Sequence, residues 1–126
     1  MIRSERAFGG FSVDDVEAAR AFYGGVLGLE VELNAMGILD IRLPGGGRAI
    51  AYPKPDHEPA SFTILNFSVE DVDAAVAELH AAGVTTAIYD DPSLPTDADG
   101  VMRGHGPTIC WFRDPAGNVL SVIEGD

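Results

Sequence analysis

Apolar positions along this chain fall into two matching runs, each passing from strand-like to helix-like spacing. Phe11-Ser12-Val13-Asp14-Asp15-Val16-Glu17-Ala18-Ala19 returns 56 residues later as Phe67-Ser68-Val69-Glu70-Asp71-Val72-Asp73-Ala74-Ala75, with seven of nine positions identical and two exchanging Asp and Glu. Two copies are too few for a solenoid, so the pattern implies a duplicated module, with a cleft expected between its halves. Each copy opens with a short apolar, aromatic and β-branched stretch, Ala7–Val13 or Phe62–Val69, that reads as a strand. A helix follows directly. In the first copy Asp14 stands as N-cap with Glu17 three residues on, Val16, Ala19, Phe22 and Tyr23 share a face, and Gly24-Gly25 closes the helix. In the second, Val72, Ala75, Val76 and Leu79 form the buried stripe, Gly83 supplies the left-handed closing residue, and Asp73 and His80 fall on the wet face. Three further strands follow each helix: Leu29–Leu33, Ile38–Leu43 and Arg48–Pro53, then Val84–Asp90, Pro107–Arg113 and Val119–Glu124. The fold class is therefore α+β, two tandem βαβββ modules over about 7–54 and 62–124, joined by a linker at 55–61 within a single domain spanning 1–126.

Composition narrows the partners. With 126 residues the chain holds one core, and twenty Asp plus Glu against eight Lys plus Arg give a formal charge of −12. That charge repels phosphate backbones and anionic lipid, so neither nucleic acid nor membrane is an expected partner. Cys110 is the single cysteine, which excludes an internal disulfide and a thiolate zinc cluster and suits a reducing cytoplasm. Strand alternation turns it towards a helix, as a small hydrophobe rather than a nucleophile. Met1–Arg6 lacks the apolar stretch of a leader, and no run approaches a membrane span. Pro44-Gly45-Gly46-Gly47 reads as a turn, not a phosphate loop, because Arg48 opens a strand. Asp97-Ala98-Asp99-Gly100 opens like a calcium loop but lacks the Glu that would close one, and reads as solvated loop.

The duplicated pattern, with Phe22-Tyr23 closing the first helix, Val26-Leu27-Gly28-Leu29 after it and Asp114-Pro115-Ala116-Gly117-Asn118 near the end, resembles the vicinal oxygen chelate superfamily over Phe8 to Glu124. That group includes glyoxalases, extradiol dioxygenases and bleomycin-resistance proteins. The resemblance implies that the modules form an open barrel or cleft. It also implies where metal-dependent members carry ligands: His or Gln on the first strand, Glu on the fourth, His on the fifth and Glu on the eighth. Those places fall here at Phe8, at or beside Ala51, at Ile64 and at Ser121, none of which offers a nitrogen or carboxylate donor. A divalent ion needs several donors at once, so neither metal nor other cofactor is expected. His57 in the linker, His80 on a helix and His105 in a loop do not replace the set.

Alternation also gives the cleft face, since residues two apart share a face and hairpins link neighbouring strands. Centring the last hairpin on Ala116 sets Trp111 opposite Ser121 and Ile109 opposite Ile123. Centring the first between Gly45 and Gly46 sets Asp40 opposite Ala51, leaving Leu39, Ile41 and Leu43 for the helix side. Phe8, Gly10, Ile64 and Asn66 complete a mostly apolar face with one indole, suited to a flat or hydrophobic small molecule. Two readings stand beside this one: Trp111 as plain core, and Phe8 with Ile64 filling the cleft. Asp40 and Arg42 either serve a ligand or pair at the surface. The long segment 90–107 reads as a lid with Arg103 and His105 as polar tips, or as an acidic surface loop. The expected function is metal-independent binding of a small apolar or aromatic molecule, in the manner of the sequestering and resistance relatives. The alternative is a glyoxalase- or dioxygenase-like lyase, isomerase or oxygenase, with a displaced metal or acid-base chemistry at Asp40 or His105. A third possibility is a filled-cleft scaffold. Open sheet edges make a homodimer the expected assembly.

Overall fold

A computed structural model describes residue 2 and residues 4–125, Ser4 and Asp90 by their backbone alone. The chain divides into two compact units, Met1–Pro59 and Ala60–Asp126.

In the first unit a 3-10 turn at Ser4–Arg6 leads into β1 (Gly9–Val13), α1 (Val16–Arg20), a π-helical segment (Ala21–Val26), β2 (Glu30–Leu33), β3 (Leu39–Arg42) and β4 (Arg48–Pro53). The sheet order is β1-β4-β3-β2, with β1 parallel to β4 and the other pairs antiparallel. The cap falls one residue later than expected, on Asp15, whose Oδ1 accepts the Glu17 and Ala18 amides at 3.0 and 3.2 Å. Gly24-Gly25 does not close the helix. The winding loosens instead, Leu27 donating its amide to the Phe22 carbonyl five residues back at 2.9 Å. A Cβ on Gly24 would stand 2.7 Å from Val31 Cγ2, so the glycine lets this turn lie against β2. Phe22 and Tyr23 pack edge to face at 5.2 Å, and with Ala19 they bury against Phe11, Val13, Leu39, Ile41, Ala49 and Ala51.

The first hairpin departs from the expected register by one residue. Leu43 donates to the Gly47 carbonyl at 2.8 Å, so the loop is Pro44-Gly45-Gly46 and is centred on Gly45, with φ of +102° and +105° at the two glycines. Asp40 therefore pairs with Ile50, while Ala51 pairs with Leu39 and is fully buried on the helix side. Ala51 is thus removed from the expected binding face and Ile50 takes its place, because a one-residue slip exchanges the two faces of a strand.

In the second unit β5 (Thr63–Val69) leads to α2 (Val72–Ala81), β6 (Asp90–Asp91), β7 (Leu94–Pro95), β8 (Val101–Met102), β9 (Ile109–Arg113) and β10 (Val119–Glu124). Asp71 caps α2, and Gly83 leaves it at φ +86°. The sheet order is β5-β10-β9-β8, with β5 parallel to β10, while β6 and β7 pair separately. Val72, Val76 and Leu79 of α2 are buried, as are Cys110, Phe112, Leu120 and Val122 on one side of the sheet. Of the expected strand Val84–Asp90 there remain a bridge between Thr86 and Phe112 and, at its end, Asp90 as the first residue of β6. Side chains meet the local backbone instead: Thr86 Oγ1 donates to the Asp99 carbonyl at 2.6 Å, and Thr96 Oγ1 accepts the Tyr89 amide at 2.8 Å. The short β8 lies along the β9 edge. No helix among the described residues is long and apolar enough to cross a membrane.

Candidate functional site

The Asp114–Asn118 turn sets the second hairpin. Asp114 Oδ1 accepts the Asn118 amide at 2.8 Å, Asn118 Nδ2 donates back to Asp114 Oδ2 at 3.1 Å, and Asn118 Oδ1 accepts the Ala60 amide at 3.0 Å. This closure puts Trp111 opposite Ser121 and Ile109 opposite Ile123, the expected register. Since Cys110 and Phe112 face α2, Trp111 and Ile109 stand on the other face, where both are half-buried. Tyr89 meets the indole edge-on with ring centroids 5.6 Å apart. Ser121 is fully buried and its hydroxyl donates to Asn66 Oδ1 at 2.5 Å, Asn66 lying opposite it on parallel β5. Asn66 itself is exposed.

Two residues modify this face. Val119 pairs with Thr63 and Leu120 with Leu65, so Ile64 is the extra residue of a β-bulge rather than a regular partner. Met102, opposite Ile109 across β8 and β9, joins the face from a stretch read as loop. A two-residue strand leaves no periodicity from which to recognise it.

In the first unit the face turned away from the helix carries Gly10, Asp40, Arg42, Arg48, Ile50 and Tyr52. Phe8 precedes β1, is 51% exposed, and lies under the Arg48 guanidinium, 4.0 Å from its carbon to the ring centroid. Arg48 Nε donates to Asp40 Oδ1 at 3.1 Å, so the partner of Asp40 is Arg48 and not Arg42. In the sequence Arg48 reads only as the opening of a strand. The corrected register could have exposed it, because Arg48 shares a face with Asp40 only when the hairpin is centred on Gly45. His57 of the linker lies 2.7 Å from Ser12 Oγ through Nδ1, which ties the linker to the end of β1. An open groove of about 600 Å³ beside the π-helical turn, lined by residues including Glu17, Arg20, Gly24 and Glu30, lies apart from this face.

Of the two polar loop residues, Arg103 has defined partners. Arg103 hydrogen-bonds Asp73 on α2 and stands 3.7 Å from an Asp97 carboxylate oxygen, so it fastens the loop to the helix side. Asp97 Oδ1 also accepts the Asp99 and Val101 amides at 2.9 and 3.0 Å, and the Val101 N–H is the chief cause that holds its carboxyl below the ordinary range. The Asp97 carboxylate thus serves its own loop's backbone. His105 is exposed. Cys110 is fully buried, and desolvation pushes its thiol up from the usual value, against nucleophilic use.

The two units can be matched strand by strand, Gly9 with Ala49 in one corresponding to Leu65 with Leu120 in the other. Ile50 is then the counterpart of Ser121. Neither side chain of that pair, nor Phe8 or Ile64, offers a nitrogen or carboxylate donor to a divalent ion. Among the described residues no three His, Cys, Asp or Glu side chains gather in a manner that could hold one.

Comparison with solved structures places this architecture. TnmS3, an antibiotic binding protein from Streptomyces sp. CB03234, superposes with a TM-score of 0.73 at 24% identity, over 100% of this chain and 99% of that one. A glyoxalase/bleomycin resistance/dioxygenase superfamily member from Sphaerobacter thermophilus gives 0.70 at 24% identity, over 94% of each chain. A glyoxalase/bleomycin resistance protein from Streptomyces sp. CB03234 gives 0.66 at 25%, over 94% of this chain and 99% of that one. Among curated proteins none matches. The fold is thus shared over nearly the whole chain, and with the family's sequence pattern matching residues 10–122, the chain belongs to the Glyoxalase/Bleomycin resistance protein/Dioxygenase superfamily.

Proposed function

We propose that this protein binds a small, flat, partly apolar molecule on the Trp111 face of the second sheet and holds it without a metal, as a sequestering protein. The observation that carries the reading is the half-buried indole, braced edge-on by Tyr89 and flanked by Ile109 with its partners Met102 and Ile123. Aromatic and aliphatic side chains of this kind make the walls of small-molecule sites, with a few polar groups to orient the ligand. Ser121 and Asn66 supply those polar groups. Because the Ser121 hydroxyl is committed to Asn66 Oδ1, the Asn66 amide N–H groups are left to meet an acceptor on the ligand. Burying about 200 Å² of apolar ligand surface is worth roughly 5 kcal/mol at 25 cal/mol per Å². Lost translational and rotational freedom offsets much of that, so stacking on Trp111 decides between weak and useful binding.

Further support comes from TnmS3, named as an antibiotic binding protein, which shares the fold along its whole length. The proposed working form is a cytoplasmic homodimer. Native mass spectrometry of protein purified without chelator, before and after incubation with planar aromatic antibiotics, tests the reading. One organic adduct per chain is expected. A divalent-metal increment per chain, or no adduct with any compound, would count against it.

A further inference from the structure

On the first unit's sheet, β3 and β4 set Arg42 directly opposite Arg48 on the face turned away from the helix. Cross-strand partners stand about 5 Å apart at Cβ, and like charges so placed repel. Only eight Lys and Arg occur in the chain, against twenty acidic residues, so abundance does not explain two of them side by side. Their surroundings differ. Arg48 is oriented on two sides, its guanidinium over the Phe8 ring and its Nε donating to Asp40, which leaves the two terminal nitrogens without a partner among the described residues. Arg42 is exposed and makes no ion pair among the described residues, although Glu30 stands opposite it on β2 with Glu32 two residues on.

We infer that Arg42 and Arg48 form an oxyanion site that takes a carboxylate, sulfonate or phosphate group of a ligand. An oxyanion relieves the repulsion within the pair and meets the planar fork that guanidinium groups present to such groups. Phe8 and Asp40 hold Arg48 in place beforehand, which lowers the ordering cost of binding. Asp40 neutralises part of the charge, so the selectivity comes from directed N–H donors rather than from net potential. The site stands on the first unit's sheet alone, from β3 and β4, and takes an acidic group whatever the Trp111 face binds.

The test uses two dyes with one ring skeleton: 8-anilinonaphthalene-1-sulfonate, which carries an oxyanion, and N-phenyl-1-naphthylamine, which does not. Wild type is expected to bind the sulfonate at least about tenfold more tightly, the scale of one charge-assisted hydrogen bond. Arg48→Gln and Arg42→Gln should each remove most of that preference while leaving affinity for the neutral dye unchanged, and Arg48→Lys should restore part of it. Equal binding of both dyes by wild type, or a preference that survives both Gln variants, overturns the oxyanion site and leaves the small-molecule reading standing. A second measurement follows the arginine Nε–H resonances during titration with sodium sulfate, which needs no stacking surface. Shifts at Arg42 and Arg48 with none at the Trp111 indole N–H are expected, and unmoved arginine signals overturn the site even if neither dye binds.

Discussion

Gly100 offers a sharp test of how the long loop of the second unit is held. It has φ +81°, and a Cβ there would stand 2.6 Å from the Ala87 carbonyl oxygen and 3.0 Å from both Cβ and Oγ1 of Thr86. Alanine in the left-handed region costs about 1–2 kcal/mol by itself. The clash is with backbone and with a β-branched side chain, so relief requires Thr86 to move off the Asp99 carbonyl, at a further cost of about 1 kcal/mol for the hydrogen bond. Gly100→Ala is therefore expected to destabilise the fold by about 3 kcal/mol, a fall of roughly 10 °C in Tm for a domain of this size. Gly104 is the matched control: its φ is +79°, but a Cβ would meet nothing within 4 Å. Gly104→Ala should cost only about 1 kcal/mol, the backbone strain less the entropy gained by restricting the unfolded chain. Urea titration of both variants measures the difference through the midpoints at constant slope. If the two lie within about 0.5 kcal/mol of each other, the combined uncertainty of such titrations, residues 100 and 86–87 are not packed together and the loop is free to move.

Two further perturbations follow from the buried and hydrogen-bonded groups. Cys110 should not react with Ellman's reagent at pH 8 in the native protein and should react at once in denaturant, because burial excludes the reagent and keeps the thiol protonated; native reactivity would mean that β9 is accessible. Asp97 has its carboxyl lowered below 3.8 by the Val101 N–H first, so its hold on residues 97–103 is fully present above that value and is lost as pH falls through the lower native value. Amide exchange at Asp99 and Val101 is therefore expected to speed up, relative to other amides, only in strong acid; loss of protection near pH 5 would contradict the assignment.

Much of the fold was legible because the chain states it twice. The repeat at Phe11 and Phe67 marked each strand-to-helix passage, and the Asp114–Asn118 turn, whose own side chains satisfy its backbone, set Trp111 against Ser121. The first hairpin was harder to read for a physical reason. Pro44 and three glycines can close a loop of two, three or four residues, and only the Leu43–Gly47 hydrogen bond selects three. That single residue moved Ala51 into the core, brought Ile50 out, and hid the pairing of Arg48 with Asp40. The π-helical turn escaped notice because Gly24-Gly25 is an ordinary stop signal, overridden here by packing against Val31. Residues 86–102 misled in the opposite direction: a β-branched run became a bridge, and the edge of the sheet went to two residues whose neighbours are turn formers.

Calorimetry tests the central claim most directly, using the best organic binder found, with wild type and Trp111→Ala, each in the presence and absence of EDTA. Loss of one stacked indole is worth about 2 kcal/mol, so the variant should bind about thirtyfold more weakly while wild-type affinity is the same with chelator as without. Unchanged affinity in Trp111→Ala, or binding that EDTA abolishes, would contradict a metal-independent site built on this indole.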